Sequence, residues 1–349
     1  MRVLVTGHHG YIGSITAPFL RAAGHEVVGL DTFFYQGCDL RPGADETHLQ
    51  LDVRDVQARD LEGFDGVVHL AALSNDPLGD MRPELTYEIN FEATVTLAEA
   101  AKAAGVGRFV FASSCSMYGA AGTGQAVDES GDLRPMTPYA ESKVRSEAAL
   151  SQLADDRFSP LYMRNATAYG ASPRLRPDVV LNNLVGWAYT TGRIRILSDG
   201  TPWRPLVHVE DIARATAALL EAPRELVHDE AFNIGQDSEN YQVSQLAEIV
   251  REATPSCEIE YAGSGDPDPR SYRVDFGKLA RTLPDLRLEW SASAGAAELV
   301  AAYDAAGLSY EDFVGPKFTR LNCLKQLAEN GALDGDLRWR ERWSRDAVA

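Results

Sequence analysis

A glycine-rich turn near the start of the chain constrains the fold more than any other feature of the sequence. A short apolar run, Val3–Val5, leads directly into Thr6-Gly7-His8-His9-Gly10-Tyr11-Ile12-Gly13, and a helical pattern follows. Glycines at this spacing between a strand and a helix suit a tight turn whose backbone approaches a pyrophosphate. The free N–H groups at the helix N-terminus favour such an anion. The sequence therefore predicts that the chain opens with a dinucleotide-binding βαβ unit.

The second strand of this unit indicates which dinucleotide binds. The predicted strand Val27–Leu30 is followed by Asp31, 18 residues after Gly13. A carboxylate at this point can accept hydrogen bonds from the adenosine ribose hydroxyls and would repel a 2′-phosphate. We therefore predict NAD rather than NADP as the cofactor.

The first half of the chain alternates short apolar runs with helical patterns. The first helix is predicted at Ile12–Ala23 and ends before Gly24, since glycine favours the position after a helix. Further predicted elements are the strands Gly66–Leu70, Arg108–Ala112 and Phe158–Met163 and the helices Pro83–Ala104 and Ile212–Leu220. This alternation predicts an α/β fold with a doubly wound, parallel sheet of the Rossmann type.

The second half is less regular and suggests a smaller lobe interleaved with the sheet. We predict an NAD-binding domain formed by residues 1–170 plus about 205–240. A smaller α/β substrate lobe is then formed by about 171–204 plus 241–338. The charged residues 339–349 are expected to form a frayed tail.

Composition limits the classes of partner. The chain has 349 residues with 33 Lys+Arg against 51 Asp+Glu, a net charge of −18, which disfavours general nucleic-acid binding. The four cysteines are widely spaced and form no C-x-x-C pair, so neither a metal site nor a disulfide framework is predicted. His8 and His9 lack a metal-ligand spacing and are expected to line the cofactor entrance. With no apolar run long enough to span a bilayer, we expect a cytoplasmic protein without membrane contact.

A tyrosine and a lysine four residues apart form the candidate catalytic pair. Tyr139-Ala140-Glu141-Ser142-Lys143 places a phenol and an ammonium on one helix face. Free tyrosine has a pKa near 10, but a nearby cation favours the phenolate and makes it a usable acid/base for a sugar hydroxyl. Ser114, after the Arg108–Ala112 strand, is predicted to share the hydrogen bond to the reacting oxygen. The alternative is that the two side chains simply lie on a solvent-exposed helix face. The presence of the glycine turn in the same chain favours the catalytic interpretation over this alternative.

Together these motifs resemble the extended short-chain dehydrogenase/reductases of the nucleotide-sugar epimerase/dehydratase family, from Met1 to about Asp275. The active-site pattern is most similar to that of UDP-glucose 4-epimerase-like members. The resemblance implies bound NAD and catalysis by Tyr139, Lys143 and Ser114. It also implies that Tyr139 and Lys143 contact the cofactor together with Gly7, Gly10, Tyr11, Ile12, Gly13, Asp31, Asp52, Val53, Leu70, Ala71, Ala72 and Asn90.

The same resemblance implies a nucleoside-diphosphate sugar as the substrate. Asn183, Arg204 and Arg270 match positions that contact the diphosphate, and two guanidiniums suit it as bidentate donors. Asn165 and Thr167 stand where the family often has an aromatic residue and an asparagine, so the sugar recognised is expected to be unusual. A homodimer is also implied, because the Pro83–Ala104 and Tyr139–Leu150 helices resemble those of a family dimer interface.

The two residues after Ser114 distinguish the reactions of the family. Its 4,6-dehydratases carry an Asp-Glu pair there, and its decarboxylases keep the Glu. This chain has Cys115 and Ser116, which are poor substitutes for carboxylates. The pattern favours an epimerase that acts through a transient 4-keto sugar. The alternatives are a C4 reductase or dehydrogenase, an atypical dehydratase and a non-catalytic NAD-binding regulator. Cys115 is interpreted as a small buried residue, with proton donation as the competing hypothesis.

Overall fold

Seven parallel strands form the central sheet of the computed structural model, which describes residues 1–43, 47–74, 82–120, 125–261 and 270–340. The strands are β1 (Arg2–Thr6), β2 (Glu26–Asp31), β3 (His48–Gln50), β4 (Gly66–His69), β5 (Arg108–Ser114), β6 (Ser159–Asn165) and β10 (Glu230–Ile234). They lie in the order β10-β6-β5-β4-β1-β2-β3. The predicted doubly wound α/β fold is confirmed.

Helices cover both faces of this sheet. One face packs against α1 (Gly13–Ala22) and α6 (Val209–Glu221), and the other packs against α3 (Ala93–Ala103) and α4 (Pro138–Leu153). Successive side chains of β1 point to opposite faces of the sheet, so Val3 and Val5 pack in one core and Leu4 packs in the other. A strand buried on both faces reads as a continuous apolar run, which explains why these strands were recognisable in the sequence.

The predicted helix Pro83–Ala104 contains a wider turn in its middle. It consists of α2 (Pro83–Tyr87), a π-helical turn at Glu88–Glu92, and then α3. Asn90 lies in the π-helical turn, where its side chain is almost fully buried. Such turns inserted in α-helices are frequent near functional sites.

Two smaller sheets and a group of helices form a third core. The strands are β7 (Thr167–Tyr169), β8 (Arg193–Ile196), β9 (Trp203–His208), β11 (Asn240–Gln242) and β12 (Glu258–Tyr261). The remaining helices are α5 (Val180–Thr191), α7 (Arg224–Val227), α8 (Val243–Ala253), α9 (Gly277–Thr282), α10 (Ala292–Ala306), α11 (Tyr310–Val314) and α12 (Arg320–Glu329).

The packing modifies the proposed division into two lobes at two places. Tyr272, Val274 and Phe276 pack in one core of the seven-stranded sheet, and Leu324 and Leu333 pack in the other. Both segments lie within the range proposed for the substrate lobe, about 171–204 plus 241–338. We therefore propose that about 272–288 and 324–337 belong to the NAD-binding part.

Trp339, the first residue of the predicted frayed tail, is packed against the fold. The Trp339 ring packs at 6.0 Å from that of Phe34, and its Nε1 donates to the Thr32 carbonyl oxygen at 2.6 Å. The rest of the predicted tail, from 341 onward, lies outside the described residues.

Candidate active site

A cavity of about 810 Å³ opens at the carboxyl ends of the central strands. The strand order reverses between β1 and β4, and this switch point is where open α/β sheets bind their ligands. With the exception of Asn90, every predicted site residue borders the cavity: Gly7, Gly10, Tyr11, Ile12, Gly13, Asp31, Asp52, Val53, Leu70, Ala71, Ala72, Ser114, Tyr139, Lys143, Asn165, Thr167, Asn183, Arg204 and Arg270.

The glycine turn closes tightly against the end of β4. Gly7 has a φ of +70°, and a Cβ there would lie 2.7 Å from the Ala71 nitrogen. A Cβ on Gly13 would overlap the Gly7 carbonyl oxygen. Side chains are therefore excluded at both positions, and the backbone at the start of α1 borders the cavity directly. An unobstructed helix start of this kind can accommodate the pyrophosphate of a dinucleotide.

Backbone amides fix the carboxylate of Asp31 at the edge of the cavity. Its Oδ2 accepts from the His9 N–H at 3.0 Å and its Oδ1 accepts from the Phe33 N–H at 2.9 Å. The carboxylate is thus held at the end of β2, beside the glycine turn.

His8 and His9 of the glycine turn have different surroundings, since only His9 lies at the cavity. His9 borders the cavity, as predicted. His8 does not line it: the ring is buried against Gly29, where a Cβ would overlap it, and stacks 5.7 Å from the His48 ring. The missing side chain of Gly29 leaves the space that His8 fills. Within the described ranges, no cluster of three or more His, Cys, Asp or Glu side chains could hold a metal ion.

Asn90 supports the cavity wall from behind. Its Oδ1 accepts from the Leu73 N–H at 2.7 Å, and its Nδ2 donates to the Leu73 carbonyl oxygen at 3.0 Å. The side chain thereby satisfies both backbone groups of Leu73, which itself lines the cavity. Asn90 was expected to contact the cofactor, but it does not border the cavity, and its contacts are those of a residue that supports the wall.

Helix α4 brings the tyrosine and the lysine to the cavity. The helix begins after Thr137, whose Oγ1 accepts from the Ala140 N–H, and Pro138 occupies its first position. The Lys143 Nζ donates to the Ala112 carbonyl oxygen at 2.7 Å and lies 5.6 Å from the centroid of the Tyr139 ring. Burial lowers the pKa of Lys143 to about 7.

A neutral histidine lies behind this lysine. Burial, and after it the Lys143 cation, lower the pKa of His69 to about 3. Its ring nitrogens lie 2.6 Å from Thr6 Oγ1 and 2.8 Å from Thr94 Oγ1. His69 therefore adds no competing positive charge to the site.

Ser114 and the two residues after it point in different directions. The Ser114 hydroxyl is half-buried and donates to the Ser116 Oγ at 2.9 Å, and both serines line the cavity. Cys115 is fully buried, and its thiol donates to the Arg164 carbonyl oxygen at 3.0 Å. Burial raises the pKa of Cys115 well above its usual value. The structure thus contradicts the proton-donor hypothesis and agrees with a small core residue.

Two buried polar atoms in the cavity wall lack a protein partner. Ser113 Oγ and Asn165 Oδ1 form no hydrogen bond among the described residues, and both side chains belong to the lining. They lie near the ends of the neighbouring strands β5 and β6, where Ser114 pairs with Asn165. Buried polar groups normally find partners, so unpaired ones in a cavity wall suit a polar ligand.

The predicted diphosphate residues lie along the wall formed by the smaller lobe. The Arg204 Nη1 donates to the carbonyl oxygens of Trp203 and Arg270, so the two arginines are neighbours. Asn183 projects from α5, and its Nδ2 donates to the Pro177 carbonyl oxygen at 2.7 Å.

Sequence reasoning missed several residues that border the cavity. Arg176, Asp178, Arg195, Phe34, Tyr35 and Arg320 all contribute to the lining. Arg176 pairs with Asp178 at 2.6 Å and donates to Ser74 Oγ at 3.0 Å. Arg176 lies in a short Arg-Pro-Asp segment that has neither helical or strand periodicity nor a glycine motif. Nothing in the sequence therefore indicated that it borders the cavity.

Comparisons with known proteins agree with this fold. The family model described as "NAD dependent epimerase/dehydratase family" matches residues 3–235. The UDP-glucose 4-epimerase of Corynebacterium glutamicum is 32% identical over 285 residues, covering 76% of this chain and 85% of that protein. The UDP-glucuronate 4-epimerase of Thermodesulfobacterium geofontis is 28% identical over 312 residues, covering 82% and 92%.

Solved structures give the same result. MoeE5 in complex with UDP-glucuronic acid and NAD superimposes with a TM-score of 0.76 at 29% identity, covering 88% of this chain and all of that one. DesIV, a dTDP-glucose 4,6-dehydratase from Streptomyces venezuelae with NAD bound, has a TM-score of 0.76 at 28% identity, covering 89% and 100%.

The fold and the cavity are those of an NAD-dependent enzyme with a Rossmann-type sheet. The chain belongs to the NAD-dependent epimerase/dehydratase family. Within residues 1–43, 47–74, 82–120, 125–261 and 270–340, no helix is both long and apolar enough to cross a membrane.

Proposed function

We propose that this enzyme epimerises a nucleoside-diphosphate sugar at C4 through a transient 4-keto sugar. The observation that carries the proposal is the set of polar groups at the carboxyl end of β5. Tyr139 and Ser114 reach the cavity with Lys143 beside them, whereas Cys115 is buried and Ser116 offers only a hydroxyl. Reversible oxidation at C4 needs an acid/base for one hydroxyl proton, and these residues supply it.

Each catalytic residue has a separate task in this mechanism. NAD held in the cavity would supply reversible hydride transfer at C4 of the sugar. Tyr139 removes the C4 hydroxyl proton and later restores it, while the Ser114 hydroxyl turns from Ser116 Oγ and donates a hydrogen bond to the same oxygen. Lys143 in its charged form stabilises the tyrosine phenolate, because an adjacent cation favours the anion. Its hydrogen bond to Ala112 fixes the ammonium behind the phenol.

We propose that the cofactor lies along the glycine turn and the sugar nucleotide along the smaller lobe. Gly7, Gly10, Tyr11, Ile12 and Gly13 would hold the pyrophosphate, because no side chain obstructs the start of α1. The Asp31 carboxylate would accept from the ribose hydroxyls. The remaining cofactor contacts are proposed for Asp52, Val53, Leu70, Ala71 and Ala72, with Asn90 acting through Leu73.

The substrate contacts are proposed for the residues that face the cofactor site. Arg204 and Arg270 are neighbours and offer guanidinium donors to a diphosphate, and Asn183 lies on the same wall. Asn165 and Thr167 border the cavity next to the catalytic serine and would contact the sugar. The names of MoeE5 and of the two epimerases above support a UDP-sugar as the first substrate to test.

A nucleotide-sugar C4 reductase or dehydrogenase is the second candidate, because it needs the same three catalytic residues. The test incubates purified protein with a panel of nucleotide sugars while absorbance at 340 nm is followed and products are resolved by NMR. Inverted stereochemistry at C4 without net NADH change supports the epimerase. Stoichiometric NADH formation or consumption supports the second candidate instead. An atypical dehydratase would yield a 4-keto-6-deoxy product, and a non-catalytic regulator would yield none.

We further propose a cytoplasmic homodimer that pairs through α3 and α4. These two helices pack against each other on one face of the sheet, so a second copy could add two more helices to form a bundle. Light scattering at several concentrations tests the dimer, and a monomer at all of them would contradict it.

A further inference from the structure

Two thiols from distant parts of the chain meet beside the cavity. Cys38 lies in the loop after β2, and Cys323 lies in the first turn of α12. Their Sγ atoms are 3.7 Å apart although 285 positions separate them in the chain. A disulfide needs a distance of about 2.0 Å between its sulfurs, so a shift of less than 2 Å would join them. All four cysteines are free thiols in this structure.

The two thiols have unequal chemical surroundings. Cys38 is half-buried, whereas Cys323 is buried. The hydrogen bond with Cys323 lowers the pKa of Cys38 to about 7 against the effect of burial, and the cations Arg174, Arg320 and Lys317 act in the same direction. The same hydrogen bond raises the pKa of Cys323. Cys38 is therefore the more accessible thiol and the one that exists as thiolate near neutral pH.

We propose that Cys38 and Cys323 form a reversible thiol–disulfide site that reacts with low-molecular-weight disulfides. The Cys38 thiolate attacks one sulfur of the small disulfide, forms a mixed disulfide and releases one small thiolate. Cys323 then loses its proton and attacks the Cys38 sulfur, which forms the internal disulfide and releases the second small thiolate. Two protein thiols are oxidised and one small disulfide is reduced to two thiols.

The crosslink would join two segments of the cavity wall. Phe34 and Tyr35 line the cavity from the loop that carries Cys38, and Arg320 lines it from the helix that carries Cys323. The Arg320 guanidinium already lies 4.6 Å over the Tyr35 ring. Since a covalent bond prevents these segments from separating, oxidised protein is expected to release bound NAD several-fold more slowly than reduced protein.

The chemistry is tested directly with oxidised glutathione on the full-length protein. After treatment, remaining thiols are alkylated and the peptides are mapped by mass spectrometry without reduction. The wild type is expected to show a Cys38–Cys323 crosslink and alkylated Cys115 and Cys257. Cys323→Ser is expected to stop at a glutathione adduct on Cys38, because no resolving thiol remains. A persistent adduct on Cys38 in the wild type, or a crosslink to another cysteine, would overturn the proposal.

Cys257→Ser provides the matched control. Cys257 is buried like Cys323, but its thiol donates to the Ala188 carbonyl oxygen in the smaller lobe. This variant is expected to form the same crosslink as the wild type, and its thermal unfolding shows whether loss of a buried thiol damages the fold.

The rate of NAD loss on dilution provides the second readout. It is compared between oxidised and reduced wild type and between identically treated samples of Cys38→Ser. Slower NAD release only in the oxidised wild type supports the proposed effect of the crosslink on NAD release. Equal rates in oxidised and reduced wild type would overturn that effect. Because crosslinking is measured without turnover, its outcome is independent of the proposed epimerase activity.

Discussion

The ammonium of Lys143 lies 5.6 Å from the ring centroid of Tyr139 and donates to the carbonyl oxygen of Ala112. The lysine is thus tied to the end of β5 by its own hydrogen bond and faces the phenol one helical turn away. The strand β5 and the helix α4 together hold this pair. The arrangement places the buried ammonium beside the half-buried phenol.

Removing the phenol of Tyr139 is expected to abolish most of the activity. Tyr139→Phe keeps the ring and deletes only the hydroxyl, so kcat should fall by about 10²- to 10⁴-fold while the protein remains folded. Turnover is measured on the best substrate of the nucleotide-sugar panel. Tyr189→Phe, which removes a hydroxyl outside the cavity lining, should keep wild-type kcat. Equal losses in both variants would contradict a catalytic role.

The depressed pKa of Lys143 predicts how stability depends on pH. The unfolded lysine holds its proton up to about pH 10.4, whereas the folded one loses it above about 7. Between these values the unfolded state binds more protons, so the free energy of unfolding rises with pH. The rise is up to about 1.4 kcal/mol per pH unit relative to Lys143→Met, which lacks the titrating group.

Urea unfolding of the wild type and Lys143→Met at pH 7, 8 and 9 measures this difference. Higher pH is avoided because unfolded tyrosines titrate near 10, whereas burial holds the pKa of folded Tyr35 at about 12. Parallel stability curves for the two proteins would show that Lys143 does not titrate in this range.

Cys115 is expected to matter for packing and not for chemistry. Its thiol is fully buried and bonds to a backbone oxygen. Cys115→Ala should therefore keep kcat within about twofold of the wild type while losing about 1 kcal/mol of stability, as expected for a small core truncation. Steady-state turnover and urea unfolding provide the two numbers. A large loss of kcat in a well-folded variant would restore the proton-donor hypothesis.

Asp31 is expected to set the preference for NAD over NADP. Asp31→Ala removes an acceptor for the ribose hydroxyls together with the negative charge that repels a 2′-phosphate. NAD should then bind about 10- to 100-fold more weakly, and the preference over NADP should shrink. Isothermal titration with each dinucleotide tests this. Asp132→Asn, at an exposed ion pair, is the control, and an unchanged preference in Asp31→Ala would assign selectivity to another residue.

Local patterns were enough to predict the glycine turn and five of the seven strands of the sheet, because the information for each lies within a short stretch of chain; the edge strands β3 and β10 were not predicted. The strands β1, β4 and β5 are continuous apolar runs, and the Tyr139/Lys143 pair shares one helix face. The position of His8 was not predictable in this way, since it depends on the space left by Gly29 on the neighbouring strand.

Contacts between distant segments account for most of what the sequence did not reveal. Cys38 and Cys323 approach each other only because α12 packs beside the loop after β2. Arg176 enters the cavity from a segment without helical or strand periodicity, and Arg320 enters it from the first residue of α12. The sequence shows that these side chains are thiols and guanidiniums, but the tertiary fold determines where they lie.

The packing of residues 324–337 against the central sheet has a consequence for synthesis. Leu324, Leu333 and Leu337 share a core with Leu4 of the first strand. During translation, domains generally fold as units with the N-terminal one first. Here the nucleotide-binding half would emerge from the ribosome with part of one apolar core still uncovered, and it could bury that part only after residues 324–337 had been made.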